Sequence, residues 1–217
     1  LGFTGVVSLT STGTMTGSPL SVNAVAGVAT FSGIIHTATG TGFTMNATAT
    51  GLTSITSNAF DIVTVTVLLP GDFAIVAVNT SAESTGSADE ITFVSFKDIS
   101  VGTQIFLTDN GYERVTAGLW GNTEGIVSLT RTGSALPKGT FVTIHSQDGG
   151  IGDGTDFTIS VCGVEDTNWT KNEISATGKF DLNKDDQVWF TQGGAWTNVN
   201  TGSHNTAYSG NVLYGWT

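Results

Sequence analysis

Charge is what the first third of this 217-residue chain most clearly lacks. Residues 1–69 contain one charged side chain, Asp61, and no lysine or arginine. A folded domain normally carries surface charge, which keeps it soluble and monomeric. We therefore expect the surface of this region to be covered by glycans on serine and threonine, by neighbouring domains of a tandem array, or by strands from another chain.

Cysteine, proline and long apolar runs are also scarce. The single cysteine, Cys162, excludes an internal disulfide. It fits a reducing compartment or an extracellular bacterial protein that avoids cysteine. Three prolines are too few for a proline-rich disordered linker. No apolar run reaches the roughly 20 residues that a membrane span needs, so membrane insertion is not expected.

Positive charge is limited to seven lysines and arginines, against eighteen acidic residues, and the net charge is −11. Nucleic-acid phosphates and anionic membranes both attract lysine and arginine, so neither is an expected partner. The 29 glycines, together with many threonines, serines and valines, indicate a β-rich chain with many turns. At 39% hydrophobic residues, the chain can bury a core.

The dominant pattern is an alternation of apolar and polar residues, which is typical of strands. In "GFTMNATA" (42–49), Phe43, Met45 and Ala47 are separated by polar residues. No segment has a convincing helical period, so the sequence predicts an all-β protein. Further strands are predicted in the same region at Gly5–Thr10, Gly27–Ile35 and Ser57–Ile62.

A change of composition predicts two β-sandwich-like domains, residues 1–69 and 70–217. The alternation slips after Ile62, and "VTVTVLLPGD" (63–72) ends in a turn signal. Val63–Leu69 is therefore expected to be a connector strand. Asp72–Val78 is apolar on both faces and is expected to be central in its sheet. The strands predicted after the boundary are Asp72–Val78, Glu90–Phe96, Gln104–Asp109, Gly125–Thr130, Thr140–Ser146, Asp156–Val161, Asp186–Gln192 and Asn211–Trp216.

Two stretches carry a resemblance to known families. "GVATFSG" (27–33), "TGFTMNATATGLTS" (41–54) and "SNAFDI" (57–62) resemble the later part of a bacterial immunoglobulin-like domain, over residues 3–62. Such domains recur in tandem in large secreted and cell-surface proteins. "PGDFAIVAVNT" (70–80), "DEITFVSFKDISVGTQIFLTDNGY" (89–112) and "FDLNKDDQVWFTQGG" (180–194) resemble a β-rich module of secreted bacterial proteins. The resemblance implies an extracellular or cell-surface location and no catalytic residues.

The same resemblance implies that the first domain is incomplete. In the family, about two strands precede the segment that matches "FTGVVSLT", so a seven-strand sandwich would keep about five. An open edge can accept a strand from another subunit. The chain is therefore expected to assemble with copies of itself, or to pack against neighbouring domains of a longer chain. The residues expected to take part are Val6, Val7 and Leu9 in the N-terminal stretch, and Val63, Val65 and Val67 in the connector.

Two groups of residues are candidates for ligand binding. Asp148, Asp153 and Asp156 lie among glycines and are candidate ligands of Ca²⁺, although Asp and Gly also suit a plain surface turn. Trp189 and Trp196 are candidate contacts for surface glycans, although packing in the core is the alternative. Trp189 is expected on the face opposite Val188 and Phe190. No organic cofactor is expected.

Catalysis is not expected either. His36, His145 and His204 are too far apart for a zinc motif, and no nucleophile-elbow pattern is present. His145 is followed by Ser146 and Asp148, but a triad depends on spatial geometry, so this adjacency carries no weight. The sequence thus predicts a non-enzymatic extracellular structural protein, either a subunit of a surface filament or a segment of a large adhesin. The alternatives are a carbohydrate-binding module and an accessory domain of a secreted hydrolase.

Overall fold

The structure, a computed structural model, describes residues 2–17, 20–80, 89–113, 116–145, 157–175, 182, 186–199 and 204–217. These residues form strands and no helix, so the predicted all-β class is confirmed. Accordingly, they include no helix long and apolar enough to cross a membrane. The chain divides into two compact units, Leu1–Thr64 (unit 1) and Val65–Thr217 (unit 2).

Unit 1 is built from short antiparallel strands. A four-stranded sheet has the order β3-β1-β6-β7, and the pairs β2-β4 and β5-β8 form two small ribbons. The strands are β1 Val6–Ser11, β2 Met15–Thr16, β3 Ser21–Asn23, β4 Ile35–His36, β5 Gly40–Phe43, β6 Met45–Ala49, β7 Ile55–Thr56 and β8 Phe60–Ile62.

The described part of unit 1 has almost no buried core. Val7 lies opposite both Val22 and Ala49 in the four-stranded sheet, so these apolar side chains share one face. The same face continues toward the edge strand β7, where Ile55 is 72% exposed. Among the described residues of this unit, Ala24 is the only one that is buried. Unit 1 therefore has the secondary structure of a sheet protein without the packed interior that normally stabilises one.

The prediction of a strand at Gly27–Ile35 is wrong for most of that segment. Val25 and Val28 exchange backbone hydrogen bonds of 2.8 and 3.0 Å across a tight turn, and only Ile35 of the predicted segment enters a strand. Ala26 and Gly27 have φ values of 51° and 89°, which match a two-residue hairpin turn and not an extended strand. The apolar alternation of "GVATF" therefore occurs in a turn and an irregular segment.

Unit 2 contains two five-stranded sheets and a three-stranded sheet. Their strand orders are β16-β15-β14-β10-β9, β17-β13-β11-β18-β21 and β12-β20-β19. The strands are β9 Phe73–Asn79, β10 Glu90–Ser95, β11 Gln104–Thr108, β12 Leu119–Trp120, β13 Ile126–Arg131, β14 Phe141–His145, β15 Thr158–Val161, β16 Val164–Glu165, β17 Trp169–Ser175, β18 Val188–Gln192, β19 Trp196–Thr197, β20 Thr206–Tyr208 and β21 Asn211–Trp216.

One continuous hydrophobic core joins the two five-stranded sheets of unit 2, as in a β-sandwich. Three phenylalanines lie at its centre. The Phe73 ring centroid is 4.7 Å from those of Phe93 and Phe190, and the last two are 5.1 Å apart. Because Phe93 comes from β10 and Phe190 from β18, the cluster bridges the two sheets.

The prediction that Asp72–Val78 is a central strand is wrong, because β9 lies at the edge of its sheet. A bulge explains its misleading pattern. Thr92 pairs with Ala77 and Phe93 with Ile75, which leaves Val76 as the extra residue. The bulge shifts the alternation of side chains by one residue. Phe73 and Ile75 before the bulge and Val78 after it therefore all point into the core. Both faces of the sequence thus look apolar although only one face is buried.

The connector Val63–Leu69 is not a strand, contrary to the prediction. Its backbone bonds to side chains of unit 2 instead of to a neighbouring strand. The Thr66 N–H donates to Thr103 Oγ1 at 2.9 Å, and the Leu68 N–H donates to Gln192 Oε1 at 2.6 Å. Gln192 Nε2 donates in turn to the Thr66 carbonyl at 2.9 Å. Leu68 is fully buried, whereas the odd-numbered residues Val63, Val65, Val67 and Leu69 are 43 to 61% exposed.

Replacing Gln192 is expected to release the connector. Gln192→Leu removes the acceptor for the Leu68 N–H and the donor to the Thr66 carbonyl, and each buried backbone group left without a partner costs about 1–3 kcal/mol. We expect faster proteolysis within Val65–Leu69, together with a lower midpoint of chemical unfolding. Gln192→Glu keeps the acceptor oxygen but loses the donor and places a carboxylate against the carbonyls of Thr66 and Gln104, so it should also be damaging at neutral pH. Unchanged proteolysis in both variants would contradict the anchoring role of Gln192.

Candidate functional site

An aromatic cluster covers the outer face of β11 and β18. Trp120 lies at its centre and makes edge-to-face contacts with Tyr112, Trp189 and Trp196, at centroid distances of 5.0, 5.4 and 5.3 Å. Trp196 also stacks on Tyr208 at 4.4 Å. These contacts hold the short strands β12, β19 and β20 against the sheet, since such two- and three-residue strands have few ladder hydrogen bonds of their own.

Beside this cluster lies a cavity of about 210 Å³, here called the acidic cavity. Four carboxylates line it, and they come from three separate segments of the chain. The lining also includes the ring of Tyr112, the amide of Gln187 and the imidazole of His204. The four carboxylates are those of Asp109, Glu113, Glu124 and Asp186.

Asn110 fixes the loops that form the acidic cavity. It is fully buried two residues after the end of β11, and its Nδ2 donates to the carbonyl of Glu124 at 3.1 Å. Its Oδ1 accepts from the N–H of the same residue at 3.2 Å. The side chain thus gives the backbone before β13 the hydrogen bonds that a neighbouring strand would otherwise supply. Asn suits this position because it offers a donor and an acceptor together.

The remaining walls are also held by hydrogen bonds. Gln187 Oε1 accepts from the Trp189 indole N–H at 3.0 Å and from the Tyr112 backbone N–H at 3.3 Å. His204 Nδ1 bonds to a carboxylate oxygen of Glu113. On the far side of the aromatic cluster, burial raises the pKa of Tyr208, whose hydroxyl donates to the Gly193 carbonyl at 2.7 Å. The cavity is thus anionic and bordered by an aromatic ring, and it can accept a cationic or polyhydroxylated ligand.

The two candidate glycan contacts are both members of the aromatic cluster. Trp189 does lie on the face opposite the buried Val188 and Phe190, as expected. Its ring crosses Gly215 on the neighbouring strand, where a Cβ would come within 2.1 Å of the indole. The Trp196 indole N–H is buried. Both rings are half-buried and neither lines the acidic cavity, so their role as glycan contacts stays a prediction.

The candidate calcium ligands Asp148, Asp153 and Asp156 lie outside the described residues. The calcium site therefore stays a prediction. Within the ranges that the structure describes, no group of three or more His, Cys, Asp or Glu side chains is arranged to hold a metal ion.

The candidate assembly residues fall into two different settings. Val6, Val7 and Leu9 belong to β1, which pairs with β3 on one side and with β6 on the other. To act as a donor strand for another chain, β1 would have to break its pairing with both β3 and β6. Val65 and Val67 lie in the exposed connector, where neither residue has a strand partner.

Sequence reasoning did not single out the residues of the acidic cavity. The segments "TDNGYE" (108–113) and "GNTEG" (121–125) both place acids and amides among glycines directly beside a predicted strand. That combination is a usable signal for a polar site at a strand end. The sequence could not show that these two segments meet, because β11 and β13 become neighbours only through sheet pairing.

Comparisons of the chain with protein-family models, with curated proteins and with solved structures find no match. The arrangement of the side chains is therefore the basis on which a function can be assigned.

Proposed function

We propose that the chain is a structural protein of a bacterial cell surface, either a subunit of a filament or a segment of a large adhesin. In this proposal unit 1 is an immunoglobulin-like module that a strand from another copy completes. The observation that carries the proposal is the missing interior of unit 1, where Ala24 is the only buried residue among those described. A sheet with one apolar face gains stability when another element covers that face.

The edge strand β7 is the best place for an added strand. It pairs with β6 on one side, and the described residues supply no strand on its other side. Ile55 on this strand shares a face with Ala47 and Leu9. An added strand would extend this face beyond Ile55 while its backbone pairs with β7. Such strand addition satisfies the open backbone groups of the edge and places alternate side chains on the apolar face.

The connector of a second copy is the proposed donor. Val63, Val65, Val67 and Leu69 are all exposed, and they recur at every second position, which is the spacing that one face of a strand requires. On the opposite side Leu68 is buried, and the N–H groups of Thr66 and Leu68 are bound to unit 2. Pairing with β7 would use the other backbone edge and would displace the bonds from the Leu69 N–H to Asp72 and from Lys97 Nζ to the Val67 carbonyl. A donor held in this way is already ordered, which reduces the entropy lost on binding.

Such a contact joins two different surfaces, the connector of one copy and the β7 edge of the next. A head-to-tail contact of this kind produces a ring if it closes and a filament if it does not. The low charge of residues 1–69 favours the contact, since the two surfaces that meet add almost no electrostatic repulsion of their own.

Val65→Lys is expected to block assembly and to leave the monomer folded. The side chain is 46% exposed in the single chain, so a lysine is tolerated there. In the assembly it would enter an apolar interface, where an unpaired charge is strongly unfavourable. We expect the concentration needed for assembly to rise at least about tenfold, which corresponds to about 1.4 kcal/mol. Sedimentation velocity and negative-stain microscopy measure the change.

Leu52→Lys is the matched control. Leu52 is similarly exposed in unit 1, but it lies in a turn and not in a strand or the connector. The Leu52→Lys variant adds the same charge and should assemble like the parent chain. The proposal fails if the parent chain stays monomeric at high concentration, or if Val65→Lys assembles as readily as Leu52→Lys.

A further inference from the structure

Three polar side chains form a continuous hydrogen-bonded chain across one sheet of unit 2. Ser160 Oγ lies 2.8 Å from His145 Nε2, and His145 Nδ1 lies 3.0 Å from Glu90 Oε1. The three residues come from three adjacent strands, β15, β14 and β10. The acidic cavity and the connector use none of them.

The register of the sheet fixes this arrangement. Glu90 pairs directly with His145, and Ser160 pairs with Thr143, two positions before the histidine. Because side chains alternate along a strand, all of these residues point away from the core, while their neighbours Ile91, Ile144 and Ile159 are buried in it. The strand pairing thus places the serine, the imidazole and the carboxylate side by side on one face of the sheet, where the side chains of His145 and Glu90 are 32% and 45% exposed.

The hydrogen-bonding roles follow from the carboxylate. An ionised carboxylate only accepts, so the proton on the ring is assigned to Nδ1, which donates to Glu90. Nε2 is then the acceptor, and the Ser160 hydroxyl donates to it. This is the tautomer in which an imidazole can remove the proton of a serine hydroxyl.

A cavity of about 350 Å³ lies directly beside the serine. His145, Ser160, Thr158 and Glu165 contribute to its wall, together with Gly163. Gly163 lies in the turn between β15 and β16, and a Cβ built there would meet no atom within 4 Å. Ser160 as a residue is only 7% exposed, and it borders a space, open to solvent, that a small molecule can occupy.

We propose that Ser160 is the nucleophile of an acyl-transfer site, with His145 as general base and Glu90 as its positioning residue. This goes beyond the structural role proposed above, and it runs against the sequence-based expectation that the chain has no active site. Ser160 Oγ would attack the carbonyl carbon of an ester, and its proton would move to His145 Nε2. The alcohol would leave with that proton, and an acyl group would remain on Ser160. A solvent water would then attack the acyl carbon and give a proton to the same nitrogen. That proton passes to Ser160 Oγ as the acyl group leaves as a carboxylic acid.

The surrounding charges define the substrate class. Glu90 ends the hydrogen-bonded chain on one side of the serine. On the other side Glu165, which pairs with Ser160, lines the cavity. Two carboxylates disfavour an anionic acyl group. The site therefore fits a short neutral acyl ester, such as an acetyl ester of a hydroxylated compound.

A fluorophosphonate probe and p-nitrophenyl acetate test the site on the whole chain. We expect covalent labelling at Ser160, located by peptide mass spectrometry, and slow release of p-nitrophenol. Ser160→Ala should abolish both signals. His145→Gln should slow labelling at least about 100-fold, the usual lower range for removal of a general base. Glu90→Ala should also slow it, and Glu90→Gln should restore part of the rate because it keeps an oxygen acceptor.

Thr143→Val is the matched control, since Thr143 lies on the same face and bonds to Thr92 Oγ1 at 2.9 Å, outside the chain of three residues. It should label at the parent rate. Labelling that is absent, that falls on another residue, or that does not change in His145→Gln would overturn the proposal. In those cases the three residues only satisfy one another's hydrogen bonds, and Ser160→Ala would change the melting temperature alone. None of these outcomes depends on whether the chain assembles.

Discussion

Replacing Phe93 by alanine is expected to destabilise unit 2 by about 3–5 kcal/mol, the usual cost of a large cavity in a close-packed core. Phe93 is fully buried and contacts Phe73 and Phe190, so the cavity would open where the two sheets meet. Chemical unfolding followed by tryptophan fluorescence measures the loss. All five tryptophans lie in unit 2, so this signal reports that unit selectively.

Phe43→Ala provides the comparison within unit 1. Phe43 is only half-buried, and its ring lies 4.4 Å from that of His36 at the surface of its unit. Its loss should leave the tryptophan transition where it is. A shift of that transition as large as the shift in Phe93→Ala would show that the two units unfold together and would refute the comparison.

Replacing Arg131 by leucine is expected to cost at most about 3–5 kcal/mol, because it breaks a largely buried ion pair and leaves the carboxylate of Asp166 with hydrogen bonds from Asn168 alone. The Arg131 side chain is 3% exposed and forms an ion pair with Asp166. Its Nε also donates to the Ser134 carbonyl at 2.8 Å, and its guanidinium lies 5.2 Å from the ring centroid of Trp169. Urea unfolding at neutral pH measures the effect.

The pH dependence of this variant has a definite sign. Burial acts to raise the pKa of Asp166, but hydrogen bonds from Arg131 and Asn168 outweigh it, and the pKa is lowered. The pair therefore stabilises the folded chain above the unfolded value of about 3.9, and this contribution is lost as the pH falls through the lower folded value. In Arg131→Leu only the hydrogen bonds from Asn168 oppose burial, so the pKa of Asp166 lies higher than in the parent chain and less stability depends on its ionised form. The stability difference between the two chains should narrow toward acidic pH, and a constant difference would contradict the role of Asp166.

The sequence predicted the strands of unit 2 where large apolar side chains alternate. All eight strands predicted after the boundary occur, because burial of one face produces this alternation directly. The sequence missed the two- and three-residue strands β12, β16, β19 and β20, and it also missed β17, Trp169–Ser175, which contains Lys171, Asn172 and Glu173. This strand lies at a sheet edge, where charged residues prevent unwanted pairing and hide the apolar pattern.

The candidate sites were harder to predict because they depend on pairing between distant segments. His145 was noted in the sequence, but its partners Glu90 and Ser160 are 55 and 15 residues away. A shift of one residue in the register would move them to the opposite face. The prediction of a strand in the connector was wrong for another reason. Its apolar alternation is real, but its backbone bonds to the side chains of Thr103 and Gln192 and not to a neighbouring strand.

The anchoring of the connector also determines how the chain responds to a pulling force. Tension from the N-terminal side enters unit 2 at Thr66 and Leu68, where bonds to Thr103 and Gln192 carry it into β18 and the start of β11. Because these bonds lie close together along the chain, they share the load and must break nearly together. Unit 1, with Ala24 as the only buried residue among those described, has far less packing to resist extension. The chain thus places an extensible element in series with a stiff one. Both units carry the same tension, so a pulling force would extend unit 1 while unit 2 stays folded.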